Sequence, residues 1–197
     1  MKYRSTSAPR HLYHNVVVTL DRDKDINNGQ PSALASWIQA LDLKNLAAYP
    51  QAAAHAGDGA AFDPGPCDAM PINAGVTHPQ ALWLGRLRAG GRLAMPLTIA
   101  ISPTIGQGII LKFVRLPGGF SVSLVTFLAI FNGGKLRDPE LEAPLRNWLS
   151  KAMPTGTLLK LQSLRRDIQE PEESCLFHAP GICLSANPII SEPEEHP

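Results

Sequence analysis

Residues 57–98 read GDGAAFDPGPCDAMPINAGVTHPQALWLGRLRAGGRLAMPLT, and the order of elements in them decides the fold. Three short apolar runs are punctuated by glycine, proline and aspartate. Ala52–Ala56 leads into Gly57-Asp58-Gly59, Ala69–Ala74 leads into Gly75 and Thr77, and Arg92–Ile99 closes the stretch. Between the last two, Gln80–Leu87 carries Ala81, Leu82, Leu84 and Leu87 at helical spacing, with Gly90-Gly91 as the expected helix stop. Strand, turn, strand, helix, strand is the pattern of a parallel α/β sheet. Ligands in such sheets sit beyond the carboxyl ends of the strands, which places Asp58, Asn73 and Thr77 at the mouth of a site.

Outward from this stretch, the hairpin signature is clear. Gly106–Arg115 and Phe120–Ile130 flank Leu116-Pro117-Gly118-Gly119, so these two strands are expected to be antiparallel. Asp138–Met153 carries Leu141, Leu145, Trp148 and Leu149 on one helical face, and Thr157–Ser163 is the expected last strand. Upstream, Val16-Val17-Val18 is a run of β-formers. Asn28-Gly29 marks a turn, Pro31 suits a first helical turn, and Ser32–Leu43 has an apolar stripe at Leu34, Ile38 and Leu41. Residues 1–14 read as a flexible arm, 15–185 as one domain and 186–197 as a disordered acidic tail.

Composition narrows the function classes. The chain has 197 residues, 44% of them hydrophobic, enough for one domain with a sizeable core. A formal net charge of +1 supplies no basic field for nucleic acid. No apolar run is long enough to span a membrane and the first residues lack a signal-peptide core, so a cytoplasmic location is expected. Cys67, Cys175 and Cys183 are too few for a disulfide scaffold and read as inert thiols. Cys175, His178 and Cys183 fall short of the four ligands of a structural zinc site, so no metal is expected.

Gly-Asp-Gly, then Asp68-Ala69-x-x-x-Asn73-Ala74, a helix and Gly90-Gly91-Arg92-Leu93-x-x-Pro96-Leu97 together resemble the later half of an S-adenosylmethionine-dependent methyltransferase. Within that class the chain most resembles the protein-L-isoaspartate O-methyltransferases, over roughly residues 11–185. The resemblance implies a Rossmann-like sheet, mostly parallel, finished by an antiparallel hairpin. It implies S-adenosylmethionine as cofactor and a protein or peptide bearing isoaspartyl residues as partner. Carried onto this sequence, it assigns cofactor contacts to Gly57, Asp58, Gly59, Asn28, Gly29, Gln30, Pro31 and Gln107. It assigns substrate contacts to Asn73, Thr77 and His78, and no dedicated catalytic base is required.

Three departures stand beside this resemblance. No G-x-G-x-G occurs, and Leu43 runs directly into Lys44 where the family has a strand, a glycine-rich turn, a helix and a strand ending in an acid, a unit of roughly 30 residues or more. The family's serine near the cofactor falls at Gly29. Pro71 lies within a run expected to be a central strand, where proline removes a ladder donor. An internal deletion near residues 43–45 is therefore expected, with impaired methyl transfer. A non-catalytic remnant or an interaction module is the alternative, and an incomplete gene product is a third reading.

Overall fold

Nine buried apolar positions on three neighbouring strands explain most of the architecture. In the computed structural model, which describes residues 59, 61–133, 136–166, 173–179 and 181–189, strand β2 runs Leu87–Ala100, β3 runs Ile105–Leu116 and β4 runs Gly119–Phe131. Leu93, Met95 and Leu97 on β2, and Ile109, Leu111 and Phe113 on β3, are buried at every second position. That period turns one face of the sheet into the core. Register confirms it: Leu93 lies opposite Phe113, which lies opposite Val122 on β4.

β1 (Cys67–Pro71) precedes helix α1 (Ala81–Arg86), and α1 leads straight into β2. After β4 come helix α2 (Pro139–Ala152), a 3-10 turn (Thr157–Lys160), β5 (Ser163–Arg166), β6 (Cys175–Ala179) and β7 (Ile182–Ser185). The seven strands form one sheet in the order β1-β2-β3-β4-β5-β7-β6. β1 is parallel to β2, and every other neighbouring pair is antiparallel. The protein is thus mixed α/β, but its described sheet is mostly antiparallel, against the expectation of a mostly parallel one. The reason lies in the connections. β2 and β3 are joined by residues 101–104 and β3 and β4 by Pro117-Gly118, and links this short can only reverse the chain.

Several boundaries also move. Gly90-Gly91 does not stop the helix, which ends at Arg86; the pair lies inside β2. Between Cys67 and Ala69 the β2 partner shifts from Leu87 to Arg92, so residues 88–91 bulge out of the ladder. Gly90, at φ +74°, takes a backbone conformation that side chains resist. Pro71 closes β1, exposed, at the edge of the described sheet, which is where a strand tolerates proline. The expected strand over residues 157–163 is mostly the 3-10 turn, and only Ser163 belongs to a strand. It is not the last strand either, since β6 and β7 follow. Cys175 and Cys183 are not free thiols: a disulfide joins them across the β6–β7 hairpin, with Cα atoms 5.7 Å apart.

α2 begins as its sequence dictates. The Asp138 carboxylate accepts from the Glu140 N–H at 2.9 Å, Pro139 takes the first helical position, and Glu140 and Glu142 sit at the positive end of the helix dipole. Leu141, Leu145, Leu149 and Ala152 form its buried stripe. Trp148 meets Phe177 of β6 at 5.1 Å between ring centroids.

One strand is poorly covered. Only Phe120 and Ser121 of β4 pair with β5, so beyond them β4 has β3 on one side and no described strand on the other. Val125, Phe127 and Phe131 there are 55%, 53% and 49% exposed.

Candidate functional site

Loop 72–80 leaves the carboxyl end of β1, the end where an α/β sheet binds ligands. It does not wander. The Ile72 N–H donates to the Ala94 carbonyl at 2.8 Å, and Val76 resumes parallel pairing with Leu97. Gly75 reaches the end of β4: its N–H donates to the Phe131 carbonyl at 2.8 Å, and its carbonyl accepts from the Gly133 N–H at 2.9 Å. A Cβ at Gly75 would stand 2.5 Å from Thr98 Oγ1. On β3, a Cβ at Gly106 would stand 2.6 Å from both Thr98 Oγ1 and Asn132 Oδ1. The loop can approach the sheet because these positions carry no side chain.

Arg137 fills the space so created. Its Nη1 donates to Thr98 Oγ1 at 2.9 Å and Asn132 Oδ1 at 3.1 Å, with a longer bond of 3.4 Å to the Gly75 carbonyl. Its Nη2 donates to the Thr98 carbonyl at 2.8 Å and pairs with the Glu142 carboxylate. Thr98 is fully buried and Asn132 nearly so. Glu142 also accepts from the Ala100 N–H. One guanidinium therefore ties loop 72–80, β2, the end of β4 and the start of α2 together. With both terminal nitrogens engaged by protein acceptors, its chemistry is that of a clasp rather than of a substrate-carboxylate binder.

Thr77 and His78 sit beside this clasp. Buried Thr77 accepts the Asp138 N–H at 2.8 Å through Oγ1, and that oxygen is 3.1 Å from His78 Nδ1. His78 Nε2 lies 3.2 Å from the Gln80 side-chain nitrogen. With the Gln80 amide donating, Nε2 accepts and the proton rides on Nδ1, facing Thr77. Burial lowers the His78 pKa below its ordinary value, and the nearby Asp138 carboxylate opposes that more weakly. Both observations describe a neutral imidazole.

The other residues singled out by sequence fall differently. Asn73 is exposed on the same loop. Gln107 lies opposite Ile99 and Ala129, whereas Gly106 and Gly108 lie opposite Ala100 and Thr98; Gln107 therefore projects from the other face of the sheet. Gly59 is tied to α1, its carbonyl accepting from Trp83 Nε1 at 3.3 Å. Gly57, Asp58, Asn28, Gly29, Gln30 and Pro31 lie outside the described residues. Arg137, Glu142, Asn132 and Thr98 are the residues that sequence reading missed. Gly106-x-Gly108 inside an apolar strand was their signal, since a strand glycine marks a close approach.

Among the described residues no group of three or more His, Cys, Asp or Glu is placed to hold a metal ion, and no helix is long and apolar enough to cross a membrane. No family model matches the sequence, and no curated protein matches it. Among solved structures, a protein-L-isoaspartate O-methyltransferase is similar at 17% identity and a TM-score of 0.40, over 65% of this chain and 37% of that one. The chain thus spans little more than a third of that structure's length, and a likeness at this level fixes neither fold nor activity.

Proposed function

We propose that this chain is a protein-L-isoaspartate O-methyltransferase-like protein, with loop 72–80 as one wall of the site where S-adenosylmethionine and an isoaspartyl peptide meet. The observation that carries the reading is the parallel β1–α1–β2 unit with that loop at the carboxyl end of β1. The sequence order around it, from Gly57-Asp58-Gly59 to Pro96-Leu97, supports the same assignment.

Bound, the cofactor would supply a methyl group on a sulfonium. The substrate carboxylate is ionised near neutral pH, its ordinary pKa being about 3.9, so the chain's task is alignment and exclusion of water. The described residues fit that task in part. The Arg137 clasp fixes the wall, its charge is matched by Glu142, and neutral His78 adds no cation beside a sulfonium. In this reading Gly57, Asp58 and Gly59 take the adenine side, Asn28–Pro31 also contact the cofactor, and Asn73, Thr77 and His78 line the peptide side. Gln107, on the other sheet face, is left out.

Because no G-x-G-x-G is present, weak cofactor binding with little or no turnover is expected. Misplacement of about 1 Å can cost roughly a hundredfold in rate. The same absence favours a non-catalytic remnant as the second reading. Calorimetric titration with S-adenosylhomocysteine, paired with transfer of a labelled methyl group to an isoaspartyl peptide, decides between them. Binding in the millimolar range or tighter supports the first reading. No heat at millimolar ligand and no label transferred would overturn it.

A further inference from the structure

At the opposite end of the strands from loop 72–80, the β3–β4 turn and β5 enclose a second cleft. Residues 115–120 form one side, with Gly118 at φ +83° turning the chain. Ile189 folds against this turn, where a Cβ at Gly119 would stand 2.8 Å from its Cδ1. The cleft encloses about 480 Å³, a size typical of small-molecule sites. Leu116, Phe120, Leu164 and Ile189 give it apolar walls. Its charged lining is Arg115, Arg165 and Arg166, with no carboxylate among the described lining residues.

Arg115 is held in place before any ligand arrives. Its guanidinium lies 5.1 Å from the Phe120 ring centroid, and Nη1 donates to the Leu84 carbonyl at 3.2 Å. A guanidinium carries more donors than that bond uses. Among the described residues neither Arg115 nor Arg166 forms a salt bridge. Like charges gathered against apolar walls focus a positive potential, and the planar fork of arginine matches the oxygens of phosphate or carboxylate.

The geometry points to a binding site for a small amphipathic oxyanion, a phosphate or carboxylate on an apolar body, held by Arg115 and Arg166 with the body against Leu116 and Ile189. This site is independent of the methyltransferase reading.

Calorimetric titration of the full chain at low ionic strength tests it, with phenyl phosphate, benzoate and neutral benzamide as probes. Binding of phenyl phosphate or benzoate, and not of benzamide, is expected, and the tighter of the two anions identifies the headgroup. Arg166→Gln is expected to weaken anion binding at least about tenfold while leaving the thermal midpoint unchanged, because a charge-assisted bond is lost from an exposed residue. Arg115→Lys keeps the charge and loses the fork, and is expected to weaken it as well. Equal affinity for benzamide, unchanged affinity in Arg166→Gln, or no binding up to on the order of 10 mM would overturn the proposal.

Discussion

Replacing Arg137 by methionine removes the clasp while keeping much of the side chain's apolar stem. The structure sets the magnitude. Arg137 is 11% exposed and Glu142 25%, so the pair is largely shielded from water. Breaking one partner of a buried pair costs about 3–5 kcal/mol, because the other charge is left uncompensated. Glu142 keeps the Ala100 N–H and has Arg146 at 3.7 Å, which lowers the cost toward about 3 kcal/mol. For a chain of this length that is a fall of about 6–12 °C in thermal midpoint. Urea denaturation followed by circular dichroism reads it directly, and amide exchange at Gly75 and Gly133 should accelerate with it. The double variant Arg137→Met/Glu142→Gln separates charge from packing: glutamine still accepts from Ala100 and strands no charge, so it should be more stable than Arg137→Met alone. A loss under about 1 kcal/mol, or a double variant no better than the single, would show that the guanidinium does not hold the loop.

Three further outcomes follow from the same structure. Gly108→Ala would place a Cβ 2.1 Å from the Leu97 carbonyl oxygen, and a cost of about 3 kcal/mol is expected; Gly85→Ala, with nothing within 4 Å, should instead stabilise α1 by roughly 0.5–1 kcal/mol, and urea midpoints of both variants check the contrast. His78 has its folded pKa lowered from 6.5, so the unfolded chain binds the proton more readily; stability should fall as pH drops through 6.5 toward the folded value, and His78→Gln should flatten that slope between about pH 7.5 and 5.5. Asp63, held low chiefly by its hydrogen bond from Arg86, titrates below that window and does not interfere. Thiol titration of the unreduced, unfolded chain should find Cys67 alone, and reducing the Cys175–Cys183 bridge should cost about 2 kcal/mol for so short a loop, read as a shift in denaturation midpoint.

What the sequence made legible was local chemistry. Leu116-Pro117-Gly118-Gly119 announced the β3–β4 hairpin, and the spacing of Leu141, Leu145 and Leu149 announced α2, because turn conformation and helical period are written into neighbouring residues. Strand direction was not legible. An apolar run reports burial and says nothing of which way its neighbour points, so Arg92–Ile99 read equally well in a parallel or an antiparallel sheet. Residues 157–160, TLLK, carry two apolar residues side by side and resemble a strand, yet they close into a 3-10 turn behind Gly156, whose φ is +68°. β6 and β7 are five and four residues long and owe their pairing to each other and to β5. The candidate loop was half readable. Its position after a strand, with Thr77 and His78 on it, could be read locally; Arg137 lies 60 residues beyond Thr77 in the chain, and no local pattern links the two.

From Gly119 to Phe131 the sequence is GFSVSLVTFLAIF, without one ionisable side chain. Natural sheets station lysine, proline or a bulge on such borders to turn away neighbours. Among the described residues the one such device is a bulge at Val125, which the ladder skips between the Ile110–Thr126 and Leu111–Leu124 pairs, and the last six residues of β4 lie beyond it with neither a charge nor a proline. Concentration, more than temperature, should therefore govern how this protein behaves in a tube. A lysine at position 125, where the side chain already meets water, is the change expected to keep it in solution without disturbing what lies beneath.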